Sequence, residues 1–346
     1  MLTTQTLPAA AEAYAADQRA VLATTVARVR SLWRRVGADF DTGWSRIELD
    51  ALAVVASAQL DVALAAQAYV PDVLTETGAR SAARPVAAAD PSRLIGVAGD
   101  GRPLETLLYG AVTHAKERVA LGAGPAEALL SGGRWLSMTT STVLSDTGRQ
   151  SEALAMGVRP RVTGYVRMLN PPSCARCVVL AGARYRSSTA FARHPRCDCR
   201  HVPAADAVLD DMTMNAGEYF ESLSRAEQDR VFTSAGAQAI RDGADLNQVV
   251  NARRGMRPAQ IGGRRMLVTS EGTTRRGIAY SYLAPSGTRL DRSQTAVRIT
   301  RNGPEARTIE RRVANRPRLM PETIREVATD QADYLRLLRA NGYLRG

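Results

Sequence analysis

Cysteine is missing from all but one short stretch of this chain. Four cysteines occur in 346 residues, and all fall between Cys174 and Cys199. Aromatic side chains are also scarce, at 5% of residues with four Phe and three Trp. Aliphatic and alanine-rich segments must therefore fill most of the core, which favours helices. Lysine is nearly absent, Lys116 being the only one among 46 basic side chains. No run reaches the roughly 18 uncharged apolar residues of a membrane span, so none is expected. The opening MLTTQTLPAAAEAYAADQRA has no basic segment ahead of its apolar residues, and Glu12 and Asp17 interrupt them. A secretory signal is not expected either, and in a reducing compartment clustered thiols point to metal ligands more than to disulfides.

The chain is 45% hydrophobic and 23% charged, the composition of a folded protein long enough for two or three domains. Its net charge of +12 is unevenly spread. Residues 1–158 carry −2, 159–203 carry +8, 204–250 carry −6 and 251–346 carry +12. A GC-rich coding sequence accounts for arginine in place of lysine, but not for this excess over acids. Positive charge confined to the cysteine segment and the C-terminal quarter suits a polyanionic partner; a solvated basic surface is the plainer alternative.

Apolar spacing predicts a helix over 10–36 and a second, capped by Asp41 or Thr42, reaching about Val70 before Pro71. Residues 77–103 read as a connection with little regular structure. Helices are expected from Leu104 to about Leu121 and from Gly124 to about Met156, the latter broken near Ser131–Gly133. His114 receives no role. RVTGYVRML (161–169) alternates as a strand does, and CVVLAGARYR can return as its hairpin partner by turning near Gly182. Beyond the cysteines, RAEQDRVFTSAGAQAIRDG predicts a helix capped by Ser222 or Ser224, and DLNQVVNARRG a shorter one. The stretch 256–308 is hard to read: RRMLVTSEGTTRRGIAYSYL predicts a basic hairpin, with turn signals either side of Glu271–Gly272, or an extended arm. Two short helices joined near Asp330 close the chain.

Cys174-x2-Cys177 has the spacing of a metal knuckle, in which a tight turn aims two sulfurs at one point. HPRCDCRH follows about twenty residues later, and on an extended strand Cys197 and Cys199 face the same side. Four thiolates around Zn²⁺ make a closed, tetrahedral, structural site. His194 or His201 is the rival fourth ligand, and thiols without metal are the plain alternative. Arg176, Arg184, Arg186, Arg193, Arg196 and Arg200 lie inside or beside this segment, placed to contact phosphates without reading bases or to face an acidic protein. Arg253, Arg254, Arg264, Arg265, Arg275 and Arg276 are the matching candidates downstream.

The run PPSCARCVVLAGARYRSSTAFARHPRCDCRHVP resembles the cysteine–histidine signature of the phage Mu F-like minor head proteins, in particular the minor capsid branch found in actinobacteriophages. EYFESLSRAEQDRVFTSAGAQAIRDGADLNQVVNARRGM (218–256) and PRLMPETIREVATDQADYLRLLRANGYL (317–344) are also similar to that branch, so the resemblance covers much of 100–346. It implies a virion or prohead component that associates with the portal protein and with major capsid or scaffold proteins. Such a protein acts in head assembly, genome packaging or ejection, inside the capsid near the portal after assembly in the host cytoplasm. The family's metal ligands map onto Cys174, Cys177, Cys197 and Cys199, with His194 inside the motif. Packaged double-stranded DNA is the expected nucleic acid, and no membrane partner is expected.

Some relatives carry fused ADP-ribosyltransferase domains, which need a Glu-x-Glu pair; TTSTVLS (139–145) occurs here, but no Glu-x-Glu. Gly-x-Ser-x-Gly, His-Glu-x-x-His and P-loop motifs are also missing. Asp206, Asp210 and Asp211 read as a solvated or capping group, and an enzyme is not expected. A zinc-containing nucleic-acid-binding regulator of the host cytoplasm is the alternative. The expected fold is α+β and mostly helical. A helical docking region (1–100) precedes a Mu F-like domain ending in a zinc-stapled module (101–206), a helical segment (207–256), and a basic arm with C-terminal helices (257–346).

Overall fold

The computed structural model describes residues 8–169, 173–187, 189, 200–204, 215–300 and 303–344. His194, Cys197, Cys199, Arg193 and Arg196 lie outside the described residues. The described chain is mostly helical with small antiparallel sheets, and it divides into two compact units. One comprises Met1–Ser173 with Leu180–Asn215, the other Cys174–Val179 with Ala216–Gly346.

In the first unit, α1 (Ala9–Trp33), α2 (Phe40–Ser45), α3 (Glu48–Glu76), α4 (Leu104–Ala120) and α5 (Pro125–Gly157) supply most of the core. Val29 and Trp33 of α1, Val55 of α3, Leu108 and Val112 of α4, and Leu136 and Leu144 of α5 are buried together. Short 3₁₀ turns at Arg80–Ala82 and Pro91–Leu94 interrupt the expected connection.

Three expectations need correction. The residue that caps α2 is Asp39, whose carboxylate accepts from Thr42 N at 3.1 Å. The long helix does not stop at Pro71 but runs through it to Glu76. Proline removes one helical hydrogen bond, yet Tyr69, Val70, Val73 and Leu74 around it are all buried. The final turn also anchors a neighbouring helix. Glu76 accepts from Ala9 N at 2.7 Å and Ala10 N at 2.9 Å, satisfying two open amides at the start of α1. Third, α5 has no break at Ser131–Gly133. Its glycines serve close packing, because a Cβ on Gly132 would lie 2.5 Å from the Trp33 ring and 2.9 Å from Ala111 O.

By length and composition α3 is apolar enough to cross a membrane, although Asp61 interrupts its uncharged run. Val55, Val62, Ala66 and Val70 along it are buried, while Leu60 and Leu64 are exposed.

The unit is completed by a sheet of order β2-β1-β3, with β1 at Gly164–Met168, β2 at Arg184–Arg186 and β3 at Arg200–Ala204. The β1–β2 hairpin follows the expected pairing, with Gly182 at φ +70° and its N–H donating to Arg167 O at 2.9 Å.

The second unit begins with the single turn α6 (Ala175–Val178) and continues with α7 (Ala216–Ser222), α8 (Arg225–Phe232), α9 (Ser234–Arg241) and α10 (Leu246–Ala252). Ser224 and Glu227 form a reciprocal capping box at α8. The single helix expected over 225–243 is cut at Thr233, whose φ is +68°. Its hydroxyl accepts from Gly236 N at 3.2 Å, capping α9, and donates to Glu322 Oε1 at 3.2 Å.

Two strands follow, β4 (Met256–Ile261) and β5 (Arg264–Thr269), and they form a hairpin. Its turn is Gly262–Gly263, both at positive φ, rather than beside Glu271–Gly272. Next come α11 (Ile278–Leu283) and a long two-stranded ribbon, β6 (Thr288–Thr300) with β7 (Gly303–Ala314), unforeseen from sequence. The short β8 (Arg318–Leu319) joins β5. As expected, the tail forms two helices, α12 (Pro321–Val327) and α13 (Gln331–Ala340), with Asp330 capping the second. Val249, Ala252, Met320, Ile324, Tyr334, Leu338 and Tyr343 make its core.

Candidate metal centre and arginine surfaces

Cys174 is extended, at φ −77° and ψ 157°, and stands just before α6. Its carbonyl accepts from Cys177 N at 2.9 Å and Val178 N at 3.1 Å. That turn folds the two side chains together, leaving Sγ to Sγ at 3.5 Å. A disulfide would need about 2.05 Å, whereas two thiolates on one tetrahedral zinc at about 2.3 Å each sit roughly 3.8 Å apart. Cys177 is fully buried and Cys174 partly so, beside Ala175 and Val178. The pair fits two ligands of one soft metal ion. Among the described residues no group of three or more His, Cys, Asp or Glu side chains is gathered for an ion.

The arginine candidates fall into different environments. Arg176, Arg184 and Arg186 are exposed, the last two on β2. The backbone of Arg200 opens β3 opposite Met168. Arg254, Arg265, Arg275 and Arg276 are exposed, with no carboxylate within 4 Å among the described residues. Arg264 is exposed but paired with Glu326 at 3.0 Å, a screened contact that a phosphate can displace. Arg253 is different: half-buried, it donates to Glu322 Oε1 at 2.6 Å and to Thr233 Oγ1 at 3.3 Å. Its guanidinium ties α9 and α12 to the end of α10, so it is held inside the fold rather than offered to solvent.

A buried polar group near β3 was not singled out from sequence. Glu152 of α5 is fully buried, and its Oε2 lies 2.8 Å from His201 Nδ1, with His201 only 7% exposed. Tyr69 Oη donates to His201 O at 2.8 Å, and the Tyr165 ring lies 4.2 Å from the imidazole. Arg167, also buried, stands directly across from His201 in the β1–β3 register, hence on the same sheet face. The signal that places Glu152 inside was available: Ser145, Gly148, Glu152 and Met156 recur at three- and four-residue steps on the buried side of α5. His114, given no role, sits 3.1 Å from Ser131 Oγ on the neighbouring helix.

No protein-family model, curated protein or solved structure matches this chain.

Proposed function

We propose that this chain is a minor head protein of a tailed bacteriophage that associates with the portal and acts in head assembly, genome packaging or ejection. The observation that carries the reading is the Cys174–Cys177 pair, 3.5 Å apart at a single helical turn, inside the run that resembles the Mu F-like signature. Cys174, Cys177, Cys197 and Cys199 would hold the ion, with His194 as the rival for one place. When bound, Zn²⁺ in a sphere closed by protein ligands contributes folding free energy and leaves no position for a reacting water.

The exposed arginines supply the second half of the proposal. Arg176, Arg184 and Arg186 in the cysteine segment, with Arg254, Arg265, Arg275 and Arg276 downstream, contact phosphates of packaged double-stranded DNA without reading bases. The helices of residues 1–100 dock on the portal, capsid or scaffold proteins. The protein then resides inside the virion near the portal, having assembled there from the host cytoplasm.

Quantitative mass spectrometry of purified particles, comparing this chain with the portal and major capsid proteins, tests the assignment. A few copies per particle, retained with the portal, are expected. Absence from particles and proheads, with the chain left in host cytosol, would overturn it in favour of a zinc-containing regulator.

A further inference from the structure

The first unit contains an open cleft of about 550 Å³, within the range of small-ligand sites. Its charged lining is Arg80, Arg84 and Arg161, and its apolar lining is Pro85, Val86 and Pro160. Its lining includes no Asp or Glu among the described residues. All three arginines are exposed, and none has a carboxylate within ion-pair distance among the described residues. Some exposed arginines of this unit are partnered, Arg102 with Asp100 at 2.7 Å and Arg118 with Glu127 at 3.3 Å, and others are not; what marks the cleft is that three without a carboxylate among the described residues line one cavity. Residues 1–158 carry more acids than bases, yet they supply two of the three cleft arginines, Arg80 and Arg84.

The frame behind the cleft is tied by hydrogen bonds. Val86 N donates to Val158 O at 2.9 Å, Arg159 Nε donates to Ala83 O at 2.9 Å, and Ala82 is buried. These bonds fix the segment 80–86 against the end of α5. Arg159 is itself buried and also donates to the Ala155 carbonyl, so it adds positive charge behind the cleft while bonded to neutral partners. Three guanidinium groups around one cavity repel each other unless an anion sits among them. A terminal phosphate, with a charge of about −1.5 to −2 and three acceptor oxygens, matches three guanidinium forks better than one carboxylate does.

We propose that this cleft binds a nucleotide phosphate, either of a free nucleotide or of a nucleic-acid 5′ end. The arginine forks take the phosphate oxygens, and Pro85, Val86 and Pro160 pack against the sugar or base. The site does not depend on the head-protein assignment.

Calorimetric titration of the full chain with ADP, and with a short oligothymidylate bearing either a 5′-phosphate or a 5′-hydroxyl, tests it. Saturable binding is expected, weakened about tenfold or more by Arg84→Gln and by Arg161→Gln, with the ligand-free unfolding midpoint unchanged because both side chains are exposed. Tighter binding of ADP identifies the free nucleotide as the source. A preference for the 5′-phosphate that disappears in Arg84→Gln identifies the strand end, even though arginines elsewhere also attract the oligonucleotide. The proposal is overturned if neither probe saturates at millimolar concentration. Unchanged affinity in both variants, or displacement of ADP by polyglutamate more readily than by pyrophosphate, overturns it too.

Discussion

Arg318 is 1% exposed in the second unit, yet no carboxylate among the described residues pairs with it. Nε donates to Asn341 O at 2.8 Å, Nη1 to Glu271 O at 3.1 Å, and Nη2 to Gln248 Oε1 at 3.2 Å and Gly342 O at 3.3 Å. The guanidinium lies 4.0 Å from the Tyr343 ring centroid, and burial pushes its pKa below the usual arginine value. One planar group thus joins α10, the turn after β5 and the C-terminal residues, a geometry that a lysine point charge cannot reproduce. Arg318→Met should cost about 3 kcal/mol in urea unfolding by orphaning several acceptors, and Arg318→Lys should recover only part. An unfolding midpoint equal to that of the unchanged protein would remove Arg318 from this role. Tyr334 presents the opposite case. It is buried, its hydroxyl has no partner among the described residues, and burial, with Asp242 nearby, raises its pKa to about 12. The unfolded phenol ionises near 10, so the stability held by the neutral ring is complete below pH 10 and is lost as pH rises to 12. Tyr334→Phe should therefore leave neutral-pH stability unchanged or slightly higher. Between pH 10 and 12 it should lose on the order of 2 kcal/mol less than the unchanged protein, as followed by circular dichroism.

At the scale of elements, a glycine pair is readable in two ways. Gly132 and Gly133 look like a helix break, but in α5 they let the Trp33 ring lie against the backbone, where its Nε1 donates to Leu129 O at 2.8 Å. Helix propensity alone favours alanine there by about 1 kcal/mol. A methyl group at Gly132 would overlap the ring and the Ala111 carbonyl, so Gly132→Ala should destabilise by about 1–3 kcal/mol instead. Gly157→Ala at the open end of the same helix should be neutral or slightly stabilising in the same thermal melts. Two equal outcomes would reject the packing argument. The contrast shows which parts of the fold were legible. Long amphipathic helices and the β1–β2 hairpin follow from periodicity within a window, so α1, α4, α5 and the final two helices fall close to their expected bounds. Features set by distant residues do not: α3 passes Pro71 because Glu76 meets the start of α1, and Thr233 breaks a helix because Glu322 and Arg253 hold it. The β6–β7 ribbon was hidden because arginines interrupt its alternation. In the candidate site the approach of Cys174 to Cys177 was legible from spacing alone. Glu152 meets His201 only through the packing of α5 on β3, a contact no local pattern contains.

At the scale of the whole molecule, metal and charge make separable predictions. The core shared by α1, α3, α4 and α5 uses no thiol. Chelation, or Cys174→Ser, should therefore raise protease cleavage within 160–203 while those helices keep their hydrogen-exchange protection. Unchanged resistance across 160–203 would count against a structural metal. On the proposed function the arginines, by contrast, act through the counterions they release from DNA. Each phosphate neutralised adds about 0.9 to the downward slope of log affinity against log salt, whatever the sequence. Arg275 and Arg276 are exposed and have no carboxylate within ion-pair distance among the described residues, so Arg275→Gln with Arg276→Gln should lower that slope by about 2 and weaken binding equally on unrelated duplexes. Arg253 is already engaged by Glu322 and Thr233, so Arg253→Gln should lower stability and leave the slope where it was. Fluorescence anisotropy across a salt series distinguishes the cases. A slope that the double variant leaves unchanged would place the DNA contacts elsewhere. A sequence preference that survives at high salt would mean that bases are read, as the regulator alternative requires, because phosphate contact alone loses its hold on DNA as salt rises.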